Sequence, residues 1–184
     1  MPREGIFKMN NILRLFLLLV FVPASSFVTS NAHATTVAKV KETVATFKKK
    51  DPGINRFFKD SYAYAVFPTV GKGGIGIGGA YGTGRVYRQG KFTGTAKLTQ
   101  VSIGFQLGGQ AYSEIIFFQH KNAYRHFIDG NLKVGAQVSA VAVNKGAAAN
   151  ASFNQGIAIF TATKGGLMYE AAVAGQVFEF TPAK

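Results

Sequence analysis

Between residues 74 and 87 the chain alternates between almost no side chain and a bulky one. Positions 74, 76, 78, 80, 82 and 84 are Gly, Gly, Gly, Ala, Gly and Gly, whereas 75, 77, 81, 83, 85 and 87 are Ile, Ile, Tyr, Thr, Arg and Tyr. Successive side chains on a strand point to opposite faces, so one face of this segment is nearly bare. Glycine weakens a strand through backbone entropy and lost packing, and a stripe of it is explained by another backbone, a helix or aromatic rings lying close against that face. Gly76 and Gly78 are expected to meet such a neighbour. The competing reading of GKGGIGIGG (71–79) is a phosphate loop. Gly74, Gly76 and Gly79 do satisfy G-x-G-x-x-G after the apolar run AYAVF, but AYGTGRVYR continues the strand alternation where a helix should open. The acidic residue expected about 20 positions on is missing. A Walker loop needs Ser or Thr after its lysine, and Lys72 is followed by Gly73. The glycines read as structural.

Helical periodicity comes before this strand texture. In TTVAKVKETVATFKKKDPG, Val37, Val40, Val44 and Phe47 recur at intervals of three and four, with Lys39, Lys41, Lys48 and Lys49 largely off that face. Thr36 is the expected N-cap, and Asp51-Pro52-Gly53 the stop. A second short helix is expected from Ile54 to Tyr62. RQGK (88–91) reads as a turn between strands, and HKNAYRHFIDG (120–130) as a further helix with Asn122 as its cap and Gly130 at its end. LKVGAQVSAVAV, GIAIFTAT and GLMYEAAVAGQVFEF read as three more strands. The expected fold is α+β: one domain with a curved, glycine-rich, barrel-like antiparallel sheet, N-terminal helices and one further helix.

Residues 1–34 have the form of a signal peptide. Arg3, Lys8 and Arg14 precede an apolar run from Leu15 to Val22, and Ala32-His33-Ala34 supplies an A-x-A cleavage site. The run is shorter than the roughly 20 apolar residues of a membrane span. The domain expected after cleavage is 35–184, periplasmic or secreted and peripheral to a membrane. Its net charge is +11, against +13 for the whole chain. Such a surface favours anionic partners, and export leaves lipid head groups and envelope polymers in reach rather than nucleic acid. Between Asp60 and Glu114 there is no acidic residue, while Lys72, Arg85, Arg88, Lys91 and Lys97 all lie in that interval.

Reactive groups are scarce. The chain has no cysteine, which rules out a lipidated cysteine, a disulfide framework and a thiolate metal site. His120 and His126 lie six residues apart, off a common helix face. No G-x-S-x-G or H-E-x-x-H occurs, and the carboxylates are dispersed. No enzyme activity, cofactor, metal or small-molecule substrate is expected.

Four ordered blocks, FPTVGKGGIGIGGAYGTG, SIGFQLGGQAYSEIIFF, LKVGAQVSAVA and TKGGLMYEAAVAGQVFEF, resemble the SYLF domain family over roughly Phe57 to Phe180. The resemblance implies a single α+β domain that, in eukaryotic members, binds phosphoinositide-containing membranes and in some cases actin. Bacterial members look like envelope proteins. The tryptophan that often follows the first block is absent here, where the chain reads GKFTGTAKLTQ. Glu114 falls where the family commonly has an acid; it reads either as a site carboxylate with a raised pKa or as a partly buried acid paired with Arg, Lys or backbone N–H groups.

The expected function is peripheral binding of anionic phospholipid membrane, carried by Lys48, Lys49, Lys50, Lys72, Arg85, Arg88 and Lys91. Shallow burial of Val37, Val40, Val44 and Phe47 would assist if their helix is not packed on the domain. The alternative is an envelope structural or adaptor protein that binds another protein or the cell-wall polymer.

Overall fold

The computed structural model describes residues 28–75, 77–103, 110–135, 138–164 and 173–184. The expected leader as far as residue 27, and Gly76, lie outside that set. Helix α1, Val28–Lys50, begins well before Thr36, so Thr36 is no cap and the expected cleavage site falls inside the helix. Nothing in 28–50 is Pro or Gly, so no residue there interrupts helical geometry. The stop is as expected: Asp51 caps a 3-10 turn, Pro52–Ile54, that leads into α2, Asn55–Asp60.

Among the described residues seven strands follow: β1 Ala63–Ile75, β2 Ile77–Arg88, β3 Lys91–Ile103, β4 Gln110–Phe118, β5 Ala140–Ala142, β6 Ile157–Thr163 and β7 Gln176–Pro182. Helix α3, Lys121–Ile128, joins β4 to β5, and α4, Ala147–Asn150, joins β5 to β6. The sheet order is β5-β6-β4-β1-β2-β3-β7. Its pairings are antiparallel except β5 with β6, so the sheet is mixed. It curls without closing into a barrel, because β5 and β7 end the ladder unpaired with each other.

The glycine block is a hairpin and not one strand. Gly74 pairs with Gly78 and Ile75 with Ile77 across the tip. Along β2 the alternation holds: Gly78, Ala80, Gly82 and Gly84 are buried, while Tyr81 and Thr83 are exposed. The neighbours that need the missing side chains come from β1. A Cβ at Gly84 would lie 2.7 Å from the Phe67 ring, and one at Gly82 2.9 Å from Val70 Cγ2. The turn at RQGK is as read, with Gln89 (φ 49°) and Gly90 (φ 77°) in the left-handed region that a two-residue hairpin loop of type I′ requires.

Two bulges set which side chains share a face. One extra residue on β1 at Phe67–Pro68 shifts its register against both β2 and β4. Proline has no N–H to give the ladder, so a bulge suits it, and its carbonyl accepts from the Ser113 hydroxyl at 2.8 Å. A second extra residue on β3, at Thr93, turns Phe92 to the outer face opposite Tyr87.

The inner face holds Phe67, Val70, Val86, Leu98, Ile116, Phe118 and Phe178, closed over by Phe127 of α3 and by Val134 and Val138. The outer face holds a second core, where Val40 and Phe47 of α1 and Phe57 of α2 cover Val66, Ile115, Phe117 and Phe160. Phe47 is fully buried, so the α1 stripe packs on the domain and is withheld from any membrane. Other expectations shift locally. His120, not Asn122, caps α3, its Nδ1 accepting from Ala123 N. Among the described residues of LKVGAQVSAVAV only Ala140–Ala142 is strand, and the AAAN tract forms the unforeseen α4.

Candidate functional site

Strand register assembles a row of rings on the outer face. Phe117 of β4 lies opposite Tyr64 of β1, Tyr64 opposite Tyr87 of β2, and Tyr87 opposite Phe92 of β3. The row begins under the helices, where Phe117 is fully buried, and becomes half-buried at Tyr64, Tyr87 and Phe92. Tyr64 and Tyr87 stack with centroids 5.3 Å apart, and Tyr87 meets Phe92 edge-on at 6.0 Å. Phe58 of α2 stands edge-on over both Tyr64 (5.1 Å) and Phe117 (4.8 Å). Burial, and then the neighbouring Tyr87, push the Tyr64 phenol up.

Cations cap both ends of this row. Lys48 Nζ sits 4.7 Å above the Phe58 ring. At the other end the Arg85 guanidinium lies 3.7 Å from the Phe92 ring centre, and its Nε donates to the Tyr87 hydroxyl at 3.2 Å. Each ring pair contributes about 0.5–1.5 kcal/mol beyond area burial, and a cation over a ring about 0.5–2 kcal/mol depending on its desolvation.

The seven expected cations fall in four places. Lys48, Lys49 and Lys50 form the last turn of α1, with Lys48 half-buried on Phe58 and the other two exposed. Arg88 and Lys91 are exposed partners at the tip of the β2–β3 hairpin, one pair beyond Tyr87 and Phe92 and, by strand alternation, turned to the other side of the sheet, the side of Ala63. Arg85 is only 6% exposed, so it orders the row and is not free to meet a ligand. Lys72 stands apart: it pairs with Ala80 and Gln110, nine residues along β1 from the Ala63–Arg88 pair, roughly 30 Å away at strand rise. Sequence reading names the cations and not the rings, because a row built from residues 64, 87, 92 and 117 is visible only once the register is known.

Among the described residues no helix covers the half of the outer face beyond this row. Tyr81 pairs with Thr99 and Thr99 with Val177, all pointing outward. Tyr81 (55%), Val101 (75%) and Val177 (49%) are the large hydrophobic residues exposed among those described. Lys97 and Glu179, paired across β3 and β7 at 3.5 Å, form an exposed ion pair.

Glu114 lies on the inner face and is fully buried. Its partner is neither a cation nor a backbone N–H but the Gln176 side chain, whose Nε2 donates to Oε2 at 2.9 Å. Burial pushes its carboxyl up to about 8, opposed by that hydrogen bond. Asp51, also buried, accepts from Ala148 N and Gly53 N, which hold its carboxyl below the usual range. Among the described residues no group of His, Cys, Asp and Glu is arranged to hold a metal ion.

Comparison with known proteins bears on this chain at two points. Over 131 residues, 70% of its length, it is 26% identical to "Beta cell expansion factor A" of Aeromonas veronii, covering 49% of that protein. The chain thus spans about half the length of the curated relative it matches. Residues 99–182 match the family model described as "Ysc84: Las17-binding protein actin regulator", which takes in the last three of the four sequence blocks and omits the glycine hairpin. From Thr99 within β3 to Pro182 at the end of β7, this chain is therefore similar to the Ysc84, or SYLF, family.

Proposed function

We propose that this protein is a non-enzymatic, peripheral binder of anionic phospholipid membrane, and that it docks through the outer-face aromatic row and the exposed cations around it. The supporting observation is the half-buried row of Tyr64, Tyr87 and Phe92 flanked by two exposed basic segments: Lys49 and Lys50 in the last turn of α1, whose Lys48 lies over Phe58, and Arg88 and Lys91 at the tip of the β2–β3 hairpin. Tyrosine suits the head-group boundary because it has an apolar body and a polar tip. A basic residue near an anionic surface contributes about 1 kcal/mol, so four acting together sustain reversible attachment. The leader reading of residues 1–34 would place this membrane in the cell envelope. Actin regulation and beta-cell expansion appear in the descriptions of the family and of the relative, and nothing on this surface selects either for this chain.

Co-flotation of the protein with zwitterionic and anionic vesicles at low and high salt tests the reading. Binding is expected to anionic vesicles alone and to weaken with salt, since exposed charges are screened over about 8 Å at physiological ionic strength. Reversing Lys49, Lys50, Arg88 and Lys91 to Glu should abolish it with little change in melting temperature. A wild type that ignores anionic vesicles at low salt sinks the proposal. The uncovered patch of Tyr81, Val101 and Val177 then favours the second reading, an envelope adaptor with a protein partner.

A further inference from the structure

Three strands separate β4 from β7 in the sheet, yet their inner faces meet side chain to side chain. Gln176 Nε2 donates to Glu114 Oε2 at 2.9 Å and to the Tyr112 hydroxyl at 3.3 Å, which uses both amide hydrogens. Glu114 and Gln176 are each 0% exposed. Two acceptors are left over in the same pair, Glu114 Oε1 and Gln176 Oε1. The residues facing Glu114 are Phe67 from β1, Thr161 from β6, Tyr112 from its own strand and Gln176 from β7. Tyr112 is the other titratable group among them, and no charged side chain of the described residues contributes to the Glu114 environment.

A single proton accounts for both leftover oxygens. Neutral Glu114, with its hydrogen on Oε1, donates to Gln176 Oε1 while Oε2 accepts from Gln176 Nε2, the two-bond ring that a carboxylic acid forms with a primary amide. Ionised Glu114 leaves two buried acceptors without a hydrogen between them and a buried charge without a counterion, both of which are costly. We propose that Glu114 and Gln176 form a proton-held latch: protonated Glu114 fastens β7 to β4 across the hollow of the sheet, and loss of that proton releases β7.

The direction of the pH effect follows from linkage. Burial raises the Glu114 carboxyl to about 8 in the latched state, from an ordinary 4.5. The Tyr112 phenol is pushed up too, by burial first and then by Glu114, and stays neutral across this range. Opening returns Glu114 to water, where it ionises. Between about 4.5 and 8 each opening therefore releases one proton, and its equilibrium constant rises about tenfold per pH unit before levelling off.

Amide hydrogen exchange of Val177–Thr181, measured on the full protein from pH 5 to 9 and corrected for the intrinsic rate, reads this opening. Protection should fall about tenfold per pH unit up to about pH 8. In Glu114→Gln, whose amide forms the same ring with Gln176 at any pH, it should be flat. Should that variant fail to fold, the carboxyl ¹³C shift of Glu114 in the wild type decides alone, with a midpoint near 8 expected. A midpoint near 4.5, or protection in β7 that ignores pH in the wild type, overturns the latch.

Discussion

The two halves of the sheet's outer face share one ladder and differ in everything that sits on it. On β6, β4 and β1 the outward residues are Phe160, Ile115, Phe117 and Val66, and α1 and α2 bury them. On β2, β3 and β7, beyond Arg85, Tyr87 and Phe92 of the aromatic row, they are Tyr81, Thr83, Thr95, Lys97, Thr99, Val101, Val177 and Glu179, all exposed. Beneath that uncovered half the inner face is the glycine-bearing one, with Gly82, Gly84 and Gly94 buried. A strand with a helix above it builds its core outward. One with no helix above it must gain its packing by curling inward, and side chains of zero size allow the tight approach. Stability is thus concentrated in large rings on one half and in the absence of side chains on the other.

The sharpest contrast is between Phe117→Ala and Val101→Ala. Phe117 touches the rings of Phe57, Phe58, Tyr64 and Phe160 and is fully buried. Its truncation is expected to cost about 3–5 kcal/mol in denaturant unfolding. Val101, 75% exposed, should change stability by no more than about 0.5 kcal/mol. Equal losses would mean that the bare half is covered in solution.

Glycine on the curled half gives the next largest effect. Gly84→Val puts new atoms where the Phe67 ring and the Val66 carbonyl already lie, each 2.7 Å from the added Cβ. Overpacking of that kind costs about 1–3 kcal/mol or more. The same change at Gly71, where a Cβ meets nothing within 4 Å, should be near neutral on a thermal melt. If Gly84→Val is tolerated, the curl is looser than the contacts with β1 imply.

Much of this difference can be read from the amino acids, and the rest depends on register. The parity of Gly78, Gly82 and Gly84 against Tyr81 and Thr83 already says which side of β2 is bare. The stripe Val40, Phe47 says that α1 has a face to bury. Neither says which strands α1 will cover, because that depends on sheet order. That the helix extends upstream of Thr36 is hidden in the sequence, because Thr36 makes a good cap on local grounds and no breaker lies between it and Pro23. Arg85 looked like a surface cation, since nothing near it in sequence announces that the bulge at Thr93 will bring Phe92 under its guanidinium. Glu114 and Gln176 are 62 residues apart and meet only through the curl of the sheet.

The smallest expected effect concerns Lys97 and Glu179, the ion pair on the bare half. At 3.5 Å and with both side chains more than half exposed, it should contribute about 0–1 kcal/mol. A double-mutant cycle with Lys97→Ala and Glu179→Ala measures the coupling. A value well above that range would again point to a surface shielded from water.

Strand order also decides what can be cut from this chain. The family match covers residues 99–182, a contiguous stretch of sequence but two separate pieces of the sheet. β5, β6 and β4 lie on one side and β7 on the other, with β1 and β2 and most of β3 between them. A fragment beginning at Thr99 would lose the middle of its own sheet and would expose an edge of β4 along its length, the kind of unpaired edge that templates aggregation. The matched segment and the folding unit are different objects here, and the boundary that preserves the second lies upstream of Ala63.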